Sequence, residues 1–475
     1  MKYLKSLFTI LFISVAILSC SNEETSTKPI PENFSKELTI FHINDQHGQL
    51  DNFSKIKYII DQEKAQTNVM VVCSGDIFSG NPVVDNYEEK GFPMIDLMNK
   101  VGFDVSVIGN HEFDYGEAIL KDRFNQSQFS WVCANVNMNN TGIPEPFEYK
   151  SITKNNVKVT FLGLVETNGK EGAVIPSTHP WRVQNITFQN YTSIVNKYAD
   201  IKENEQSDLY VALTHLGNSS DSNLAYSYPY FDLIIGGHSH SITNTTINKI
   251  PVFQAGSNLN YLGKITLRVQ SKKIENLTYE LIDLNNYTNY DAPLKQLITD
   301  YNKNANLDEI IGYASAYHNR NAVGNFYTDA LRNQLNVDLS FQNSGGVRND
   351  LDQGDISKRE IYSIDPFNNG SVTYTMTVQE IKDFLMGSKA AIYYSGVKIE
   401  QENQTIHISK NNQLLTNNTT LTVGLNDYIP AVYDRYFTQT ATIKPHTTAE
   451  NIIYYLENNA IPINYTQSNN YFQFQ

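Results

Sequence analysis

Val105-Ser106-Val107-Ile108 runs directly into Gly109-Asn110-His111-Glu112-Phe113-Asp114, and the fold is read from this junction. A short apolar run rich in valine and isoleucine has the pattern of a buried strand. An amide, an imidazole and two carboxylates are crowded into the five positions 110–114 that follow. Ligands of α/β proteins bind at strand ends, so the junction is expected to be an active-site turn.

The pattern recurs. Leu38 to Ile43 ends in Asn44-Asp45-Gln46-His47-Gly48, Val69 to Cys73 in Ser74-Gly75-Asp76, Leu209 to Leu213 in Thr214-His215, and Phe231 to Ile235 in Gly236-Gly237-His238-Ser239-His240. The amphipathic stretches Phe92 to Val101 and Ile194 to Glu203 read as crossover helices. This predicts a sheet-centred α/β layout in which five strands deliver their polar residues to one edge. Alternation in Lys264 to Gln270 and Leu277 to Leu284 predicts antiparallel strands that close this domain.

Five of the ten histidines, His47, His111, His215, His238 and His240, fall at these ends beside Asp45, Asp76 and Asn110. Imidazole, carboxylate and amide donors suit zinc, manganese, iron or cobalt, whereas a set of oxygens alone would suit calcium or magnesium. Eight groups exceed the needs of one ion. Two cations about 3.5–4 Å apart that share a carboxylate would use them.

At 475 residues the chain is expected to form two large domains. Its 18% charged and 12% aromatic residues lie among regular apolar runs, as in a globular protein. The formal charge of −14 argues against a nucleic-acid polymer as partner. A small anionic substrate would need a local reversal of that field, which bound cations supply. Cys73 and Cys133 end apolar runs and read as buried thiols, leaving no disulfide framework.

Residues 1–19 read as a signal peptide. Lys2 and Lys5 precede the apolar run Leu7 to Leu18, which is shorter than the roughly 20 residues of a membrane span. Ile17-Leu18-Ser19-Cys20 resembles a bacterial lipobox, which implies lipid attachment at Cys20 and a tether over residues 20–37. The expected location is outside the cytoplasm, anchored to a membrane at the outer membrane, periplasm or cell surface.

Phe41-His42-Ile43-Asn44-Asp45-Gln46-His47-Gly48, Ser74-Gly75-Asp76, Gly109-Asn110-His111-Glu112, Thr214-His215 and Gly237-His238-Ser239-His240 look like the five motifs of the calcineurin-like metallophosphoesterases. The stretch Asn110 to Asp114 resembles the 5′-nucleotidase family within that group. The resemblance implies a four-layer sandwich of two sheets flanked by helices over residues 38–284, a connector over 285–308, and a second α/β substrate-binding domain over 309–475. It implies one metal on Asp45, His47 and His240, another on Asn110, His215 and His238, and Asp76 bridging them. A glutamine stands in many members where His240 stands here.

By the same resemblance His111 donates a hydrogen bond to the transferring phosphoryl group. Asp114 orients His111 and keeps it protonated, with first-turn capping as its other reading, and Glu112 is structural. Hydrolysis would use water activated at the metals, without a covalent intermediate.

In the second half Val323-Gly324-Asn325, Asn343-Ser344-Gly345-Gly346-Val347-Arg348, Gly354-Asp355-Ile356 and Asp365-Pro366-Phe367-Asn368-Asn369 look like segments of the family's C-terminal domain. That domain is implied to bind base and sugar. Arg348, Asn343 and Asn369 would meet polar groups, Phe367 and Tyr428 would clamp the base or else pack in the core, and Asp434 would meet the sugar. Ile429 to Asp434 replaces a segment that is glycine-rich in the family, and Arg320 is the nearest candidate for an upstream family arginine. The expected activity is removal of the 5′-phosphate from nucleotides. The alternatives are hydrolysis of 2′,3′-cyclic nucleotides or nucleotide sugars and, in another class, a surface nucleotide-binding protein without turnover.

Overall fold

Along the strand Lys36–Ile43 (β1), Leu38 and Ile40 enter one core while Phe41 and Ile43 enter another, as the two-residue period of a strand requires. The structure, a computed structural model, describes residues 35–303 and 307–475. The leader, Cys20 and the tether up to residue 34 lie outside the described residues.

Eleven further strands complete two sheets: Val69–Cys73 (β2), Val105–Val107 (β3), Ser130–Val132 (β4), Tyr149–Lys154 (β5), Val157–Val165 (β6), Leu209–His215 (β7), Leu233–Ile235 (β8), Ile242–Ile247 (β9), Ile250–Ala255 (β10), Tyr261–Gln270 (β11) and Lys273–Asp283 (β12). One sheet has the order β12-β11-β1-β2-β3-β4 and the other β9-β10-β8-β7-β6-β5. β1 to β4 run parallel, as do β6, β7, β8 and β10. β11 and β12 close the first sheet antiparallel, as their alternation predicts.

The inner faces meet through residues such as Ile40, Val72 and Val107 against Phe161, Val211 and Ile235. Helices Phe53–Lys64 and Phe92–Val101 cover the outside of the first sheet, and Asn218–Ser227 that of the second. The result is a four-layer sandwich.

The polar strand ends therefore come from two sheets, β1, β2 and β3 in one and β7 and β8 in the other, where a single edge was expected. Parallel strands buried on both faces are continuous apolar runs that carry no mark of sheet membership. The expected helix over Ile194 to Glu203 is instead three short turns, Tyr191–Ile194, Val195–Tyr198 and Ile201–Asn204. Ile194, Val195 and Tyr198 still bury one face, so packing rather than helix propensity sets this segment.

The second half is built on a six-stranded sheet with Leu339–Asn343 next to Thr420–Asn426 near its centre. Helix Arg320–Leu335, capped by Asn319 on Ala322 N (3.1 Å), packs with one core, and Val378–Ser388 packs with the other. Helix Ala292–Asn302, within the expected connector, sends Leu294 and Ile298 into the core beneath the first sheet. Cys73 and Cys133 are buried thiols, and burial pushes both up to about 12. Among the described residues no helix is long and apolar enough to cross a membrane.

His42 lies in the inter-sheet core, opposite Gly263 and stacked on Tyr279 at 5.8 Å. Neither ring nitrogen has a hydrogen-bond partner among the described residues, and burial lowers the imidazole from 6.5 to about 3. The stability this neutral ring contributes is full above pH 6.5 and is lost as the pH falls towards 3, because the unfolded chain takes up a proton that the folded chain refuses. His42→Leu is expected to flatten that acid limb. The stability gap between wild type and variant should shift by about 1.4 kcal/mol per pH unit below the ordinary histidine range, read from urea midpoints. A gap independent of pH would mean that the buried ring protonates in place.

Candidate metal centre and the cavity beside it

The loops after β1 and β2 are laced together beyond the end of the sheet. Asp45 N donates to Gly75 O (3.0 Å), His47 N to Asp76 O (3.1 Å) and Gly48 N to Ile77 O (2.9 Å). Five residues on the loops of the site, Asp45, His47, Asp76, His238 and His240, have positive φ between 49° and 79°. Left-handed backbone is unfavourable for such residues and persists where surrounding structure enforces it, commonly at functional sites.

Part of that enforcement comes from Glu112. Its buried carboxylate accepts from the backbone N–H groups of Asp76 (3.0 Å), Ile77 (2.6 Å) and Gly109, tying the β2 loop to the β3 turn. Gly75, at φ +82°, allows a close approach: a Cβ there would stand 2.8 Å from Gly109 N and 2.9 Å from His215 Nδ1.

Asp45, His47, Asp76 and His240 each offer a donor atom, all within 4.8 Å of one another, and so do Asp76, His215 and His238. Asp76 belongs to both clusters. Asn110 Oδ1 adjoins the second, 2.9 Å from His238 Nδ1 and 3.2 Å from His215 Nε2. Its Nδ2 donates to Ser177 O (3.0 Å), which turns the oxygen inward.

The ring orientations fit cation binding. His47 Nδ1–H donates to Ser79 O (3.1 Å), so Nε2 turns its lone pair to the cluster, where it faces His240 Nε2 at 2.9 Å. His215 Nδ1–H donates to Ser74 O (2.6 Å), with Nε2 3.0 Å from Asp76 Oδ2. Burial holds His47 well below its ordinary value, and burial with the nearby His215 charge lowers His238, so both are neutral donors. At His215 burial is outweighed by Asp76 and the ring is pushed up to about 10, so a cation there displaces a proton. The Asp76 carboxyl, although buried, is held well below its usual range by His215 and His111. This Asp/His donor set suits divalent cations.

His111 lies on a 3-10 turn, His111–Phe113, at the edge of the clusters. Its Nδ1 is 2.6 Å from Asp114 Oδ2 and its Nε2 4.0 Å from Asp76 Oδ2. Burial would lower this imidazole, but Asp114 and Asp76 together raise it. The other Asp114 oxygen accepts from Thr178 Oγ1 (2.9 Å), so the carboxylate is spent on these side chains rather than on capping the turn.

A cavity of about 390 Å³ opens beside Asp76, Asn110, His111, His238 and His240. The second half of the chain contributes Asn343, Arg348, Phe367, Asn369 and Tyr428 to its wall. The Phe367 ring stacks on His111 (5.7 Å, 23°), with the Arg348 guanidinium 5.6 Å from its centroid. The Tyr428 ring lies 6.0 Å from that of His179. Arg320 donates to the carbonyl of Arg348 (2.6 and 3.1 Å) and so steadies the loop that carries it.

Asp434 is not brought to this cavity. The segment replacing the glycine-rich loop folds as helix Tyr428–Val432, burying Ile429 to Val432, and leaves Asp434 exposed and paired with Lys170 at 2.7 Å. Bulky residues and a proline form a helical turn where glycines would form an open loop.

Sequence reasoning missed Ser177, Thr178, His179 and Arg182, which line the cavity from the first half. Arg182 Nη2 donates to Phe367 O (2.8 Å), and Nη1 stands 3.9 Å from Asp114 Oδ1. The only local signal was a histidine between two prolines, Pro176 and Pro180, in a polar loop.

Residues 38–241 match the family described as calcineurin-like phosphoesterase, and residues 304–440 match the 5′-nucleotidase C-terminal domain. The trifunctional nucleotide phosphoesterase protein YfkN of Bacillus subtilis is 26% identical over 415 residues, covering 76% of this chain and 28% of that protein. The chain thus spans little more than a quarter of that relative's length. The 5′-nucleotidase of Vibrio vulnificus is 24% identical over 78% of this chain and 80% of its own. Among solved structures, the 5′-nucleotidase precursor from Thermus thermophilus has the same fold, with a TM-score of 0.79 at 19% identity over 89% of this chain and 96% of that one.

The shared carboxylate makes a direct test of the two clusters. Asp76→Asn is expected to weaken binding of both zinc or manganese equivalents in equilibrium dialysis, whereas His240→Ala should weaken one. Loss of a single equivalent from Asp76→Asn would mean that the clusters are independent.

Proposed function

We propose that this chain, in which a calcineurin-like phosphoesterase domain is joined to a 5′-nucleotidase C-terminal domain, is a metal-dependent phosphoester hydrolase that removes the 5′-phosphate from nucleotides outside the cytoplasm, anchored to a membrane through Cys20. The observation that carries this reading is the meeting of two kinds of residue in one cavity: donor clusters sharing Asp76 on one side, and Arg348, Phe367 and Tyr428 on the other. Lys2 and Lys5 before Leu7 to Leu18, and the lipobox-like Ile17 to Cys20, support the export.

In this reading Asp45, His47 and His240 would hold one divalent cation and Asn110, His215 and His238 another, with Asp76 available to both. When bound, such a pair neutralises charge on a phosphoryl group and makes water a stronger acid. His111, with Nδ1 fixed by Asp114, presents Nε2 to the Asp76 side, where it donates a hydrogen bond to a phosphoryl oxygen and stabilises charge that grows in the transition state. Arg348 supplies a fixed guanidinium for the same anion. Phe367 and Tyr428 offer aromatic faces to the base, and Asn343 and Asn369 offer hydrogen bonds to its edge or to the sugar. A protein that only bound nucleotides would have no use for the His111–Asp114 pair beside the clusters.

The exposed position of Asp434 favours a second reading, in which the sugar is recognised loosely and 2′,3′-cyclic nucleotides or nucleotide sugars are also hydrolysed. A panel of nucleoside monophosphates, cyclic nucleotides, nucleotide sugars and an aryl phosphate separates the readings by phosphate release or loss of substrate. Faster turnover of any nucleoside 5′-monophosphate than of the other classes is expected, and none at all would overturn the proposal.

Two substitutions assign the residues. His111→Ala should keep the cations and lower kcat on the order of 10²-fold. Phe367→Ala should raise KM for nucleotides and spare the aryl phosphate. Equal losses on both substrates would mean that Phe367 only packs.

A further inference from the structure

The turn that carries His111 and Asp114 continues into Tyr115, which the mechanism above does not use. Its hydroxyl donates to Oδ1 of Asp85, a buried carboxylate on the short helix Pro82–Asp85, in a tight hydrogen bond. The same hydroxyl oxygen accepts from Ser79 N (3.2 Å), and the other oxygen of Asp85 accepts from Gly80 N (3.1 Å). Two side chains thus grip the two consecutive N–H groups of a turn that is unfavourable by itself: Ser79 has φ +61° and Gly80 φ +146°.

That turn has one further connection. The carbonyl of Ser79 is the acceptor for His47 Nδ1–H at 3.1 Å, the bond that fixes which nitrogen of His47 faces the cluster. Gly80 lies against His47 itself, where a Cβ would stand 2.8 Å from its carbonyl oxygen and 2.9 Å from its Cβ. Rotating the Ser79–Gly80 peptides would therefore withdraw the acceptor and press on the backbone of the ligand. Among the described residues no comparable path leads to the other cluster: His215 is oriented by Ser74 O, and Asn110 by its own bond to Ser177 O.

We propose that Tyr115 and Asp85 are positioning residues for His47, and that they set the affinity of the cation site formed by Asp45, His47 and His240 while leaving the His215–His238 site nearly untouched. The inference rests on the assignment of ligands given under the proposed function. Partners that orient a ligating histidine typically change metal affinity by about 10–100-fold when removed. The chemistry explains why a tyrosine is used here. A phenol donates its one proton to a carboxylate and still has a lone pair for an N–H group, whereas phenylalanine keeps the ring contact with Phe78 (5.4 Å) and loses both bonds.

The test uses the whole protein loaded with zinc or manganese and dialysed against a graded series of a chelator, with metal content read by plasma emission. Wild type should retain two equivalents over the lower part of the series. Tyr115→Phe should release one equivalent at about 10–100-fold lower chelator and hold the other as wild type does. Asp85→Asn should do the same, and the double variant should be no worse than either single one, because both act through one turn. His47→Ala, which removes the ligand itself, should release the same equivalent.

Tyr115→Phe releasing both equivalents together with a lowered Tm would make the pair a general brace and overturn the proposal, as would retention identical to wild type. A wild-type protein that retains fewer than two equivalents would instead overturn the assignment of the ligands on which the proposal stands.

Discussion

The Glu112 carboxylate is buried where two strand-end loops meet, and the backbone N–H groups of Asp76, Ile77 and Gly109 all point at it. Burial and the neighbouring Asp76 charge push it up to about 7, so the grip is made by an acid that is costly to hold ionised. What it secures justifies the arrangement. With those N–H groups engaged, the β2 loop presents Asp76 to both donor clusters, and the β3 turn presents Asn110 to one of them and His111 to their edge. A single turn, Gly109 to Tyr115, then serves several neighbours at once: Asn110 the His215–His238 cluster, Glu112 the Asp76 loop, Asp114 the His111 ring, and Tyr115 the turn behind His47.

Electrostatics explains why the site lies at the meeting of two sheets and two domains. The chain is strongly acidic overall, with a formal charge of −14, yet its cavity takes positive groups from both halves, Arg182 from the first and Arg348 from the second. A divalent pair among the clusters would complete the reversal of field that an anionic substrate needs. Arg182 also links the halves mechanically, since it bonds the carbonyl of Phe367 while standing near Asp114. The segment Ile429 to Asp434 adds to the same seam, with Lys170 reaching both Ala431 O and the Asp434 carboxylate.

Most of the first domain could be read from sequence because its physics is local. A two-residue period or a continuous apolar run marks a strand, and a polar cluster directly after it marks the strand end, so Asp45, Asp76 and His215 could be picked out without knowing which strands are neighbours. What the pattern could not carry was the partition of those strands between two sheets, since β1 and β7 are equally apolar on both faces. The same limit applies to Ile194 to Glu203, where helical spacing is met by three separate turns. In the cavity, Arg348 and Phe367 belong to recognisable segments, whereas Ser177, Thr178, His179 and Arg182 act only through tertiary contacts. Asp434 is expected to meet the sugar, but the apolar residues before it form a helix and carry it to the surface.

If the donor clusters act as proposed, hydrolysis of nucleotides depends on bound cations. Phosphate release from a nucleoside 5′-monophosphate should be measured with metal-stripped protein as zinc or manganese is added back one equivalent at a time. No release without cation, and a rate that rises until two equivalents are bound, is the expected result. Undiminished release from the stripped protein, or a maximal rate at one equivalent, would contradict it.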